Sequence, residues 1–106
     1  MKKVNIKDSG ARGWFIGDFP EAVYRTQEFE VNWQNNAKGH SPSHLHKVVT
    51  EIQLVTRGRM LVNGVVFEAG DICYLEPGDI GQLEFLEDTE TVCIKFPSRP
   101  DDKYYL

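Results

Sequence analysis

Residues 50–67 read Thr50-Glu51-Ile52-Gln53-Leu54-Val55-Thr56-Arg57-Gly58-Arg59-Met60-Leu61-Val62-Asn63-Gly64-Val65-Val66-Phe67, and their reading decides the fold class. Ile52 and Leu54 alternate with Glu51 and Gln53, the period of a strand whose two faces meet different surroundings. Asn63-Gly64 then separates two short apolar runs, Met60-Leu61-Val62 and Val65-Val66-Phe67. Both turn residues tolerate positive φ, which a two-residue hairpin needs. Arg57-Gly58-Arg59 is a second tight connection.

The same pattern extends outward. Phe29, Val31 and Trp33 alternate with Glu28, Glu30 and Asn32, and Val92, Ile94 and Phe96 with Cys93 and Lys95. Ala69-Gly70-Asp71 and Glu76-Pro77-Gly78-Asp79 are further turns. No window carries an apolar stripe at helical spacing, and nine glycines and five prolines interrupt the chain throughout. Short strands punctuated by turns predict an all-β sandwich or barrel.

At 106 residues the chain is expected to form one domain. A net charge of −4 argues against nucleic acid or an anionic membrane as partner, since either selects for a basic patch. No apolar run approaches the ~20 residues of a membrane span. The start, Met1-Lys2-Lys3-Val4-Asn5-Ile6-Lys7-Asp8, lacks the apolar stretch of a signal peptide, and a cytoplasmic location is expected. In that compartment Cys73 and Cys93 are expected as reduced, buried thiols.

The chemistry concentrates just before the decisive stretch. All three histidines, His40, His44 and His46, fall within 40–46. In a strand, residues i and i+2 share a face, so His44 and His46 present two imidazoles together. Glu51 can complete a two-histidine-one-carboxylate set that leaves coordination positions open. Such a site suits a divalent metal ion, Fe, Mn, Ni, Co or Zn, without choosing among them. The plain alternative is a pair of surface histidines after the loop His40-Ser41-Pro42-Ser43, in which His40 itself is read as solvated.

In this order of strands and turns the chain resembles the cupin superfamily. The first motif reads Gly39, four residues, His44-Leu45-His46, four residues, Glu51, six residues, Gly58. The second reads Gly70-Asp71-Ile72-Cys73-Tyr74-Leu75-Glu76-Pro77-Gly78-Asp79-Ile80-Gly81. The resemblance implies a double-stranded β-helix (jelly-roll) barrel and one cupin domain over 1–106. Its core barrel would span about 36–98, with segment 1–35 packing on it or swapping over it. The flanks, including Gly13 to Phe19 and Pro97 to Tyr104, resemble small single-domain cupins associated with sugar or polysaccharide metabolism. One departure matters. Where cupins carry their last histidine ligand this chain has Gly81, which leaves three protein ligands, His44, His46 and Glu51, unless Gln82 or a water substitutes.

Strand parity adds further expectations. Gln53 shares the face of Glu51, where its amide either holds a substrate hydroxyl or bound water, or satisfies a neighbouring group. Ile52 and Leu54 then point outward and need cover, from the segment bearing Trp14, Phe15 and Phe19 or from a second copy; a homodimer is expected. Tyr74 and Phe85 either pack in the core or line the pocket. Lys95 reaches the rim, meets a carboxylate or, facing inward, binds an anionic substrate. Trp14 and Trp33 are read as packing residues. Glu51 is the one ionisable side chain that parity places inside, so no general base is assigned.

The leading functional expectation is a metal-binding cupin that binds or acts on a small molecule, a sugar, sugar nucleotide or similar polar metabolite. The alternative is a non-catalytic ligand-binding or regulatory module with structural, weak or no metal. A metal-free isomerase or epimerase would need an acid–base pair that the single histidine cluster does not supply.

Overall fold

A computed structural model describes residues 1–106, and all its regular structure is β. The strands are β1 (Trp14–Gly17), β2 (Tyr24–Arg25), β3 (Glu30–Asn36), β4 (Gly39–His40), β5 (His44–Leu45), β6 (Thr50–Arg57) and β7 (Arg59–Val62). They continue as β8 (Val65–Glu68), β9 (Ile72–Leu75), β10 (Ile80–Gly81), β11 (Leu83–Phe85), β12 (Thr89–Phe96) and β13 (Tyr104–Tyr105). Three sheets result, in the orders β2-β1-β3-β12-β6-β9, β4-β11-β7-β8 and β10-β5-β13. No helix is long and apolar enough to cross a membrane.

The turn chemistry does what its residues dictate. Asn63 and Gly64 take φ of 51° and 80° and close the β7–β8 hairpin, with Val62 opposite Val65. Gly58 turns β6 into β7 at φ 91°, where an added Cβ would lie 2.5 Å from the carbonyl oxygen of Asp88, so a side chain is excluded twice over.

The register of the largest sheet positions everything that follows. Glu30, Lys95, Glu51 and Leu75 form one row across β3, β12, β6 and β9, and Asn32, Cys93, Gln53 and Cys73 form the next. All eight are buried and face the interior. The intervening rows, Val31-Ile94-Ile52-Tyr74 and Trp33-Val92-Leu54-Ile72, face outward. The usual assignment of strand faces is therefore inverted: polar side chains of β3 and β12 point in, and apolar ones point out. The apolar core lies elsewhere, where Val55, Met60, Val62, Cys73, Leu75 and Leu83 pack together with Phe67 and Phe85 against them.

Strand pairing extends into both flanking segments. β3, inside the segment expected to lie on the barrel, is a full member of the large sheet, paired with β12 over seven residues. At the other end β13 pairs with β5, through Tyr104 opposite Leu45 and Tyr105 opposite His44. Both thiols are free and buried, as expected.

Candidate metal centre

β5 delivers His44, and the turn after it delivers His46; both side chains are buried and point at Glu51 of β6. Nε2 of His46 lies 3.3 Å, and Nε2 of His44 3.7 Å, from the same Glu51 oxygen, Oε2. The candidate ligand atoms all lie within 4.8 Å of one another. The imidazoles stand edge to face, 5.2 Å between centroids and 76° between planes, so the nitrogens converge without stacking.

Each group is held from behind. Nδ1 of His46 donates to the carbonyl of Asp102, which can only accept, so in the neutral ring the outward Nε2 presents a lone pair. Nδ1 of His44 lies 3.5 Å from the carbonyl of Pro42. The other Glu51 oxygen, Oε1, accepts from Nε2 of Gln53 at 3.0 Å and from the Cys93 thiol at 3.3 Å. This is the arrangement in which outer partners fix the tautomer and aim of the inner ligands.

Electrostatics point the same way. Burial pushes the Glu51 carboxyl up, but His44, His46 and Lys95 facing it hold it well below the usual carboxylate range, and it is ionised. Burial, reinforced by Glu51, pushes the Cys93 thiol well up, and Cys73 is pushed up to about 11. Both are neutral S–H groups, unfit as thiolate nucleophiles.

The residues fit a metal ion on one observation. Nε2 of His46 and Oε2 of Glu51 are both buried, and neither has a hydrogen-bond partner. With the imidazole neutral, this lone pair and the carboxylate oxygen repel unless a proton or a metal cation stands between them. Bound there by His44, His46 and Glu51, a divalent metal would supply Lewis acidity at its remaining positions.

Of the other residues singled out in the sequence, Gln82 and Tyr74 lie away from the centre. Gly81 pairs with His44 across β10 and β5, and a Cβ on it would sit 3.5 Å from Cε1 of His44, so this position does look onto the centre. Gln82, one residue on, has the opposite parity; it is exposed and cannot substitute as a ligand. Tyr74 is 57% exposed on the outer face, because its neighbour Leu75 is the residue opposite Glu51. Phe85 does line the cavity beside the centre, together with Trp14, Asn32, Gln34, Gln53 and Lys95. His40 is exposed, 3.8 Å from Glu84.

Three residues take roles that the sequence reading did not assign to them. Asp102 is buried, and its carboxylate accepts from the amides of Lys47 at 3.1 Å and of Val48 and Val49 at 2.9 Å, which fixes the turn that carries His46. Burial raises its carboxyl, but these three amides prevail and hold it below its ordinary value. Glu30 is a second carboxylate inside the barrel, so Glu51 is not alone there. Burial raises the Glu30 carboxyl, with Lys95 and Ser98 opposing; the Ser98 hydroxyl donates to it at 3.1 Å. Trp14 is the third. Its ring carries the ammonium of Lys95 at 4.6 Å, so it is a cavity wall and more than packing.

No protein-family model and no curated protein matches the chain. Solved structures do. A Klebsiella pneumoniae protein with a double-stranded β-helix domain is 22% identical over 82% of this chain and 77% of its own, with a TM-score of 0.67. Pac13 of Streptomyces, described as a nucleoside dehydratase and solved in variant forms with uridine, matches at a TM-score of 0.75. It is 14% identical and the match covers 100% of this chain and 91% of that one. A cupin protein of Bacteroides fragilis is 24% identical over 68% of each chain, with a TM-score of 0.58.

Proposed function

We propose that this chain, which has the double-stranded β-helix fold of the cupins, is a metal-dependent small-molecule protein whose centre is His44, His46 and Glu51. The observation that carries the reading is the facing pair of unpartnered buried atoms, Nε2 of His46 and Oε2 of Glu51. The small molecule is a sugar, sugar nucleotide or similar polar metabolite. Support comes from the polar cavity of about 130 Å³ beside the centre and from the likeness to Pac13, a nucleoside dehydratase solved with uridine. Within this cavity Gln53 orients the ligand carboxylate, and Phe85 and Trp14 wall the ligand. The ion is Fe, Mn, Ni, Co or Zn.

Elemental analysis of protein purified without chelator tests the centre. Near-stoichiometric metal in the parent, lost in His46→Ala with folding intact by circular dichroism, supports it; absence of metal in both sinks it.

A second reading, a non-catalytic ligand-binding or regulatory barrel with weak or no metal, is favoured by Gly81, which supplies no side chain where a further ligand would stand. Under either reading the protein is cytoplasmic and forms a homodimer through the two outward apolar rows of the large sheet.

A further inference from the structure

Of the twelve lysines and arginines only Lys95 is buried, at 9% exposure, and it lines the cavity beside the metal centre. The register places it between two carboxylates, Glu30 on β3 and Glu51 on β6, yet it forms an ion pair with neither. Their hydrogen bonds come from elsewhere: Glu30 accepts from Ser98 and Glu51 Oε1 from Gln53 and Cys93, while Glu51 Oε2 faces the histidines without a hydrogen bond. The ammonium is instead held against the Trp14 ring. Glu30 and Glu51 meet its charge at a distance, but an aromatic face offers a cation less than a hydrogen-bonded anion does, and no anion is hydrogen-bonded to it.

Its surroundings specify the missing partner. Glu51 is the one carboxylate lining the cavity, against the cations Lys95 and Lys103. On the row adjacent to Lys95, Asn32 uses its carbonyl oxygen to accept from the amide of Cys93, which leaves its NH2 group to donate. Gln53 uses its NH2 group on Glu51, which leaves its carbonyl oxygen to accept. A donor and an acceptor so placed match a hydroxyl group. No arginine lines the cavity and no helix N-terminus exists in the chain, so the usual cradles for phosphate are absent; of the two lysines only Lys95 is buried, and a single buried ammonium suits a carboxylate.

We propose that the cavity binds a small hydroxylated carboxylic acid, its carboxylate on Lys95 and a hydroxyl between Asn32 and Gln53. This rests on the metal-centre reading for what the acid's far end meets, and not for the anion site itself.

Calorimetric titration of the purified full chain, with tryptophan fluorescence as second signal, tests it. Lactate, glycerate, malate and gluconate are compared with the neutral lactamide and with inorganic phosphate. The expected result is that at least one acid binds, and that lactamide binds at least tenfold more weakly than lactate. Lys95→Met is expected to weaken acid binding tenfold or more, and Lys95→Arg to retain part of it. Lactamide binding as well as lactate, phosphate preferred over every acid, an unaltered affinity in folded Lys95→Met, or no acid binding up to about 10 mM each overturns the proposal. Should Lys95→Met not fold, the comparison of acid with amide on the parent decides. Lys95-dependent acid binding by a chain that purifies without metal would sink the metal reading alone; metal without acid binding would sink this one alone.

Discussion

Asp102 holds the His46 turn from both of its ends: its carbonyl receives the Nδ1 proton of His46, while its carboxylate accepts the amides of the three residues that follow, Lys47, Val48 and Val49. A residue near the C-terminus thus fixes both the ring direction of a candidate ligand and the backbone that delivers it.

Removing the carboxylate should therefore cost both stability and metal. Asp102→Ala keeps the carbonyl but strands three amides, one of them on the fully buried Val49. The expected loss is roughly 2–4 kcal/mol in urea denaturation, since hydrogen bonds to charged groups contribute about 1.5–3 kcal/mol each and do not add fully. Metal affinity should fall about 10–100-fold, the usual consequence of losing support behind a ligand. The carboxyl lies below its ordinary 3.8 in the folded chain, so its stabilisation is present above that value and is lost as pH falls through the lower folded one. The stability difference between parent and Asp102→Asn should accordingly be full at neutral pH and shrink on acidification below about pH 4. A difference independent of pH would contradict the assignment.

Glu51→Gln separates the metal from the fold. Without metal and with His46 neutral, the parent sets a carboxylate oxygen against a bare imidazole nitrogen at 3.3 Å. In the variant an amide NH2 can donate to that nitrogen, so metal-free stability should change by less than about 1 kcal/mol or rise. The stabilisation by added metal, about 2.7 kcal/mol at a hundredfold excess over Kd, should disappear. Thermal melts of both proteins, with and without EDTA, read this directly. A strongly destabilised metal-free variant would mean that the centre is a structural ion pair.

How much of this was legible depended on which residues carry their own context. His44, His46 and Glu51 announce themselves by spacing, and once Glu51 is placed inside, the period of two sends Gln53 in and Ile52 out. The same period is silent about which face of an isolated strand is inner. Glu28-Phe29-Glu30-Val31-Asn32-Trp33 looks like a strand with a solvated polar face, yet Glu30 and Asn32 are the buried ones, because this barrel surrounds a polar site. Tyr74 shows the same ambiguity, since Ile72 and Tyr74 are as apolar as Cys73 and Leu75; only register with β6 separates the faces. Asp102 left no signal. Within Arg99-Pro100-Asp101-Asp102 it reads as a solvated turn, and its role exists only through contacts over fifty residues away in sequence.

Gly81→His should restore a further ligand. The glycine faces Cε1 of His44 at ordinary van der Waals distance, and the one tight neighbour, Cδ1 of Leu83 at 3.3 Å, is the end of a flexible side chain. Metal affinity is expected to rise at least tenfold, against a packing cost of about 1–3 kcal/mol in the metal-free protein. Gly81→Ala supplies the control, with the packing change and no ligand. Equal affinity in both variants would place the metal away from β10.

The outward rows of the large sheet lead to the last expectation. Val31-Ile94-Ile52-Tyr74 and Trp33-Val92-Leu54-Ile72 lie side by side over four hydrogen-bonded strands, with Tyr74 and Ile72 mostly exposed in the single chain. A face this regular and apolar is unusual on a monomer, where contiguous apolar patches rarely exceed a few hundred Å². Its two parallel rows can pack against their own copy about a two-fold axis. Ile94 is near the middle of the face, and its side chain is 38% exposed, so Ile94→Lys should place a charge at the centre of the interface without entering the barrel interior. Light scattering is expected to give a dimer for the parent and a monomer for Ile94→Lys, with both folded by circular dichroism. A monomeric parent at about 100 μM would remove the dimer, because a closed interface of standard size associates far below that concentration.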